Sequence, residues 1–128
     1  MDIEHMGYQV PDPVGAARWY VENLGFRVTR SFGEPAYALF LADSSDHVMI
    51  EIYRNPKAPM PDYRSMDSLV LHLALECQDV EGVRARLLAA GATAEGEVVL
   101  APNGDVLAML RDPWGFPIQL VRRASPMI

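Results

Sequence analysis

Apolar and polar positions along the chain form one pattern written twice. MDIEHMGYQVPD is a short apolar stretch that carries His5 and runs out at Asp12; LVLHLALECQD carries His72 and runs out at Asp79. Beyond Asp12, Val14, Ala17, Val21 and Leu24 recur at helical spacing, and beyond Asp79, Val80, Val83, Leu87 and Ala90 do the same. Asp12 and Asp79 suit N-caps, where a carboxylate accepts from free backbone N–H groups. Pro13 suits a first helical turn, and Gly25 and Gly91 suit the left-handed position that closes a helix. Three strand-like stretches follow each helix: 26–30, 36–41 and 47–53, then 97–101, 105–110 and 116–121. The His and Asp pairs are offset by 67 residues and the helix faces and glycines by 66, a difference that an inserted Pro13 explains.

The predicted fold class is therefore α+β, two βαβββ modules within one domain of residues 1–128. The first module spans 1–53 and the second 68–123. Between them, 54–67 (RNPKAPMPDYRSMD) is proline-rich and polar, as a linker should be.

Strand side chains alternate between faces. His5 then shares a face with Gly7 and Gln9, and His72 with Ala74 and Glu76, each on the side away from the helix. In the last strand of the first half, Val48, Ile50 and Ile52 form the apolar face and Glu51 stands opposite. In the last strand of the second half, Phe116, Ile118 and Leu120 form that face and Gln119 stands opposite. Glu51 and Gln119 are equivalent positions. Two such sheets facing each other would gather His5, Glu51, His72 and Gln119. Two imidazoles, a carboxylate and an amide oxygen suit a divalent first-row metal, and Fe, Mn, Co, Ni and Zn all accept this mixed set. His47 lies beside the turn residues ADSSD and reads as a solvated strand-start residue.

Composition narrows the picture further. Half of the 128 residues are hydrophobic, enough for a core, and the net charge of −6 argues against nucleic acid as a partner. No apolar run approaches the roughly 18–20 residues of a membrane span. The N-terminus lacks a basic flank and an apolar signal region, so a cytoplasmic location is expected. The single cysteine, Cys77, lies in an apolar strand and reads as a small buried hydrophobe.

The chain resembles the vicinal oxygen chelate superfamily, also called the glyoxalase/bleomycin-resistance/extradiol-dioxygenase superfamily. The resemblance rests on IEHMGYQVPDPVGAARWYVENLGF, VMIEIY, LVLHLALECQDVEGVRARLLAAGA and LRDPWGFPIQL, the last similar to a DPxGxxxE ending. It implies paired βαβββ modules that curl into a cup-shaped open barrel, and a homodimer. The uncovered strand edges of so short a chain also fit a dimer. His5, Glu51, His72 and Gln119 fall on the family's four ligand positions. The bacterial glyoxalase I type matches best in length and spacing. That implies a lyase or isomerase in which a divalent metal chelates two neighbouring oxygens of a small substrate while a carboxylate moves a proton at carbon.

The family ending normally carries Glu where this chain has Gln119. An amide can ligate but cannot accept and return a proton near neutral pH. Glu51 is then the one carboxylate of the four, and the expected base. Alternatives are an Fe(II) dioxygenase, which expects Glu at the Gln119 position, and an antibiotic-binding, bleomycin-resistance-like protein without catalysis. A fosfomycin-modifying transferase also expects Glu there. Trp114 reads as a turn residue packing locally, Arg18 and Trp19 as facing solvent or a partner chain, and Tyr63 and Arg64 as a cover for the cup.

Overall fold

The computed structural model describes all of residues 1–128. The chain divides into two compact units, Met1–Pro61 and Asp62–Ile128. In the first, β1 (His5–Gln9), α1 (Pro13–Leu24), β2 (Arg27–Ser31), β3 (Leu39–Ala42) and β4 (Met49–Tyr53) form a sheet in the order β1-β4-β3-β2. In the second, β5 (Leu73–Glu76), α2 (Val80–Ala89), β6 (Thr93–Leu100), β7 (Val106–Arg111) and β8 (Pro117–Arg122) form a sheet in the order β5-β8-β7-β6. Each unit is a βαβββ module. No helix is long and apolar enough to cross a membrane.

The first and last strands of each unit pair in parallel, whereas the other neighbours are antiparallel. A parallel pair cannot be closed by a tight turn, so the helix and two further strands must intervene. The register places Gly7 beside Glu51 and Ala74 beside Gln119. The equivalence of Glu51 and Gln119 is thus a property of the backbone ladders.

Both helices begin in the same way. Asp12 caps α1 by accepting from the Gly15 amide at 3.0 Å, and Asp79 caps α2 by accepting from the Gly82 amide at 2.9 Å. A Cβ on either glycine would come within 2.1 Å of the capping carboxylate, so the caps sit tight because these residues are glycine. At the far end of α1, Gly25 takes φ 76°, a left-handed conformation that ends the helix.

The expected face of α1 is corrected by the structure. Of that face Ala17 is buried and Leu24 half-buried, but Val14 and Val21 are 49% and 40% exposed, while Pro13, Ala16, Trp19 and Tyr20 are buried. Tyr20 is fully enclosed, with its hydroxyl 3.4 Å from that of Tyr8. Two stripes of α1 have helical spacing; the one with the large aromatic and the small alanines wins. It buries more apolar area and lets the helix approach the sheet closely. Trp19 therefore belongs to the core and does not face solvent.

The offset of 67 accordingly runs through the helices: Pro13 matches Val80, Gly15 matches Gly82, Ala16 matches Val83 and the fully buried Tyr20 matches the fully buried Leu87. The slipped residue lies between Tyr20 and Gly25 rather than at Pro13. The face predicted for α2 is correct at Val80 and Leu87, both buried.

The turn RDPWG is held by Asp112, which is 1% exposed and accepts from the amides of Trp114 and Phe116 at 2.9 Å each. Tyr63 is buried edge-on against Phe116 at 4.9 Å, and Arg64 donates to the Pro113 carbonyl. Arg111 donates to the carbonyls of Tyr63 and Met66 at 2.6 and 2.8 Å. Tyr63 and Arg64 thus serve as packing for this turn and not as a cover.

The two candidate faces of α1 make opposite predictions. Tyr20→Ala should cost about 3–5 kcal/mol in urea denaturation, and Val21→Ala should stay within about 0.5 kcal/mol of the parent. Equal losses would return the contact face to the valines.

Candidate metal centre

His5 opens β1 and Glu51 lies in the middle of β4, on the face away from α1. Glu51 is held in place by its neighbours Ile50 and Ile52, 3% and 0% exposed, which anchor the strand on the core side. The His5 Nε2 lies 3.5 Å from the Glu51 Oε2. With metal–ligand bonds of about 2.0–2.2 Å, donors at this separation subtend about 110° at a shared ion. The pair therefore fits two corners of a metal site. Gly7 is the floor beneath it: a Cβ there would meet the Glu51 carboxylate at 3.1 Å and the Tyr53 ring at 3.2 Å.

The other ring nitrogen, Nδ1, is bonded to the carboxylate of Glu4. A ligating histidine commonly engages its second nitrogen with a carboxylate or carbonyl, which fixes the ring and leaves one lone pair for the metal. That bond also raises the His5 pKa above 6.5, with the charges of Glu4 and Glu51 adding to it and desolvation opposing. Phe40 meets the imidazole edge-on, with ring centres 5.2 Å apart. Beside it lies a cavity of about 370 Å³ lined by Glu4, His5, Thr29, Arg30, Phe40 and Met49.

The second unit repeats this arrangement with a different acceptor. His72 immediately precedes β5, and its Nδ1 lies 2.9 Å from the carbonyl oxygen of Ser68. A carbonyl only accepts, so Nδ1 carries the proton of that hydrogen bond and Nε2 is the nitrogen left to face a ligand. Gln119 lies in β8 between Ile118 and Leu120, each 1% exposed. It stands opposite Ala74 and Met109, with the parity of His72. Within each unit, then, a histidine with its Nδ1 already engaged accompanies an oxygen donor on the last strand. No three His, Cys, Asp or Glu side chains are grouped so as to hold a metal ion.

Other sequence readings resolve simply. His47 is exposed in the turn before β4, and its amide donates to the Ser45 hydroxyl. Cys77 is half-buried, and burial pushes its thiol pKa up, which suits a packing residue and not a nucleophile. Trp114 is half-buried, and its backbone amide donates to the Asp112 carboxylate within the turn. Sequence reasoning missed Glu4, although its place beside His5 in IEHM was a signal. It also missed Thr29, Arg30, Phe40 and Met49, which a bulge and cross-strand pairing bring to the cavity.

The family described as the Glyoxalase/Bleomycin resistance protein/Dioxygenase superfamily matches residues 2–120, and the chain belongs to it. Among solved structures, SMU.1112c is 30% identical, with 94% of this chain and 98% of that one covered and a TM-score of 0.73. TnmS3, an antibiotic-binding protein from Streptomyces sp. CB03234, is 25% identical over 97% of both chains, with a TM-score of 0.72. The E144Q mutant of glyoxalase I from Zea mays shares the fold at 23% identity and a TM-score of 0.76, with 97% of this chain but 46% of that one covered. No curated protein matches.

The carboxylate behind His5 can be tested directly. Glu4→Gln removes the group that raises the imidazole pKa, so a 15N-NMR titration of His5 in the metal-free protein should move down toward 6.5. An unchanged titration would remove Glu4 from the centre.

Proposed function

We propose that the chain is a glyoxalase-like metalloenzyme, a lyase or isomerase acting on a small substrate with two neighbouring oxygens. The proposed ligands are His5, Glu51, His72 and Gln119, and the proposed ion is Ni, Zn, Co, Mn or Fe. The observation that carries the reading is the repeated histidine geometry. His5 and His72 sit at matching positions, each with its Nδ1 engaged by an acceptor. A histidine kept only for packing has no need of this arrangement twice. The reading treats residues 1–128 as one domain of two modules, 1–53 and 68–123, joined by 54–67, working as a cytoplasmic homodimer.

A divalent ion held there would act as a Lewis acid, drawing negative charge toward the substrate oxygens. The chain's own residues do the rest. Glu51 is the proposed base: it takes a proton from the carbon beside the chelated oxygens and returns it to the neighbouring carbon. The strand on either side of Glu51 is locked into the core, so the carboxylate can accept and give back the proton without losing its position. Gln119 ligates through its amide oxygen and carries no charge, which leaves the site more electrophilic than two carboxylates would. Glu4 and Ser68 are positioning residues that hold the imidazoles for ligation.

Gln119 also supports a second reading, that of a binding protein. A carboxylate is missing where the family ending normally has one, and TnmS3, which matches over 97% of both chains, is an antibiotic-binding protein of the same fold. In that case the face that carries His5 and Glu51 would hold a ligand without turning it over.

Elemental mass spectrometry of protein purified without chelator separates these readings. The expected result is near-stoichiometric metal, lost in His72→Ala. A parent protein that stays metal-free after incubation with Ni, Zn, Co, Mn and Fe would leave the binding reading. Where turnover of a hemithioacetal or related substrate is found, Glu51→Gln should lower kcat by about 10²–10⁴-fold. Unchanged kcat would remove Glu51 as the base.

A further inference from the structure

Arg30 is the one permanently charged cation among the six residues that line the cavity beside His5. It reaches that position through an irregularity in the sheet. Val28 pairs with Leu41 and Arg30 with Phe40, so Thr29 is an extra residue in β2. In an unbroken ladder the alternation would have put Arg30 on the α1 side, opposite Leu39. The bulge puts it on the face of Phe40, which in turn pairs with Glu51 on β4. Bulges beside functional sites commonly re-aim a side chain in this way. The extra residue is itself secured, its hydroxyl 3.2 Å from the Phe40 carbonyl and 3.3 Å from the Met49 sulfur.

The guanidinium has been brought to this wall without a partner. The Arg30 side chain makes no hydrogen bond or ion pair, whereas Arg27 on the same strand is paired with Asp46 at 2.5 Å. The second unit shows the contrast at the corresponding edge. There Glu95 pairs with Met109, which pairs with Gln119, and again a register shift follows. Its carboxylate is ion-paired inside the unit with Arg111 at 2.9 Å and accepts from the Ser68 hydroxyl at 3.3 Å. One edge charge is paired inside its unit; the other is exposed and unpaired.

The geometry points to Arg30 as an anion-binding residue of the His5–Glu51 site, and so to a narrower substrate class. That class is a small molecule with two neighbouring oxygens for the metal, a carboxylate or similar anionic group for Arg30, and a flat apolar portion against Phe40 and Met49. This inference rests on the metal-chelation reading. Arg30 acts in binding and takes no part in proton transfer. Glu4 and Glu51 would make this wall repel anions, so the attraction should depend on Arg30.

Isothermal titration calorimetry on the Zn-loaded full-length protein tests it. The probes are 3,4-dihydroxybenzoate and 2,3-dihydroxybenzoate, each against its neutral methyl ester. At least one acid should bind about tenfold tighter than its ester. That advantage should vanish in Arg30→Gln, persist in part in Arg30→Lys, and shrink with added salt. Ester binding and zinc content should be the same in all three proteins. Acids no tighter than their esters, or an advantage that survives in Arg30→Gln, would overturn the role of Arg30 and leave the metal site standing. Failure of every probe to bind zinc-loaded protein would overturn the chelation reading and this inference with it.

Discussion

The parallel pairing of the first strand of each unit with its last is the constraint on which the rest depends. It joins strands more than forty residues apart in sequence, His5 beside Met49 and Gly7 beside Glu51 in one unit, Leu73 beside Ile118 and Ala74 beside Gln119 in the other. Because the pairing is parallel and in register, the histidine at the head of one strand and the oxygen donor in the middle of the next come to the same face. A slip of one residue would turn Glu51 toward α1 and expose Ile50 and Ile52. The apolar side of the ladder, where Tyr8, Ile50, Ile52 and Leu41 are buried, holds the register that the polar side uses.

Polar chemistry is attached to this frame by short local contacts. The Asp caps start both helices against glycines, and Asp112 ties the turn before β8. Gln9, on the His5 face, is buried because it donates to the carbonyls of Asn55 and Ala58 and accepts from the Asn55 amide. Glu4 and the Ser68 carbonyl engage the two imidazoles at Nδ1. The two units differ in charge on this plan. One carries Glu4, Glu51 and an unpaired Arg30; the other carries Gln119 and a Glu95 already matched by Arg111. A duplicated scaffold has thus been given two chemically distinct faces.

Much of this was legible in the residues themselves. Histidines and capping aspartates at a common offset announced the repeat, and alternation in MIEIY and PIQLV put Glu51 and Gln119 opposite the core. These are local signals: a cap acts over three residues and strand parity over two, so a single chain displays them without knowledge of its fold. Cys77 and His47 could likewise be judged from their immediate neighbours.

What the tertiary structure alone decided was competition between equally good local patterns, and the meeting of distant ones. Val14, Ala17, Val21 and Leu24 have helical spacing, but so do Pro13, Ala16 and Tyr20; only the shape of the sheet beneath selects the stripe with the aromatic ring. Arg30 lines the cavity beside His5 because an extra residue at Thr29 shifts its parity, and a bulge is a property of two paired strands and not of one. The Ser68 carbonyl behind His72 is a backbone group that any residue would supply, so its role carries no mark in the residue type. Composition and spacing therefore determine the elements and the chemistry each residue type can offer; packing determines which of those residues share a face.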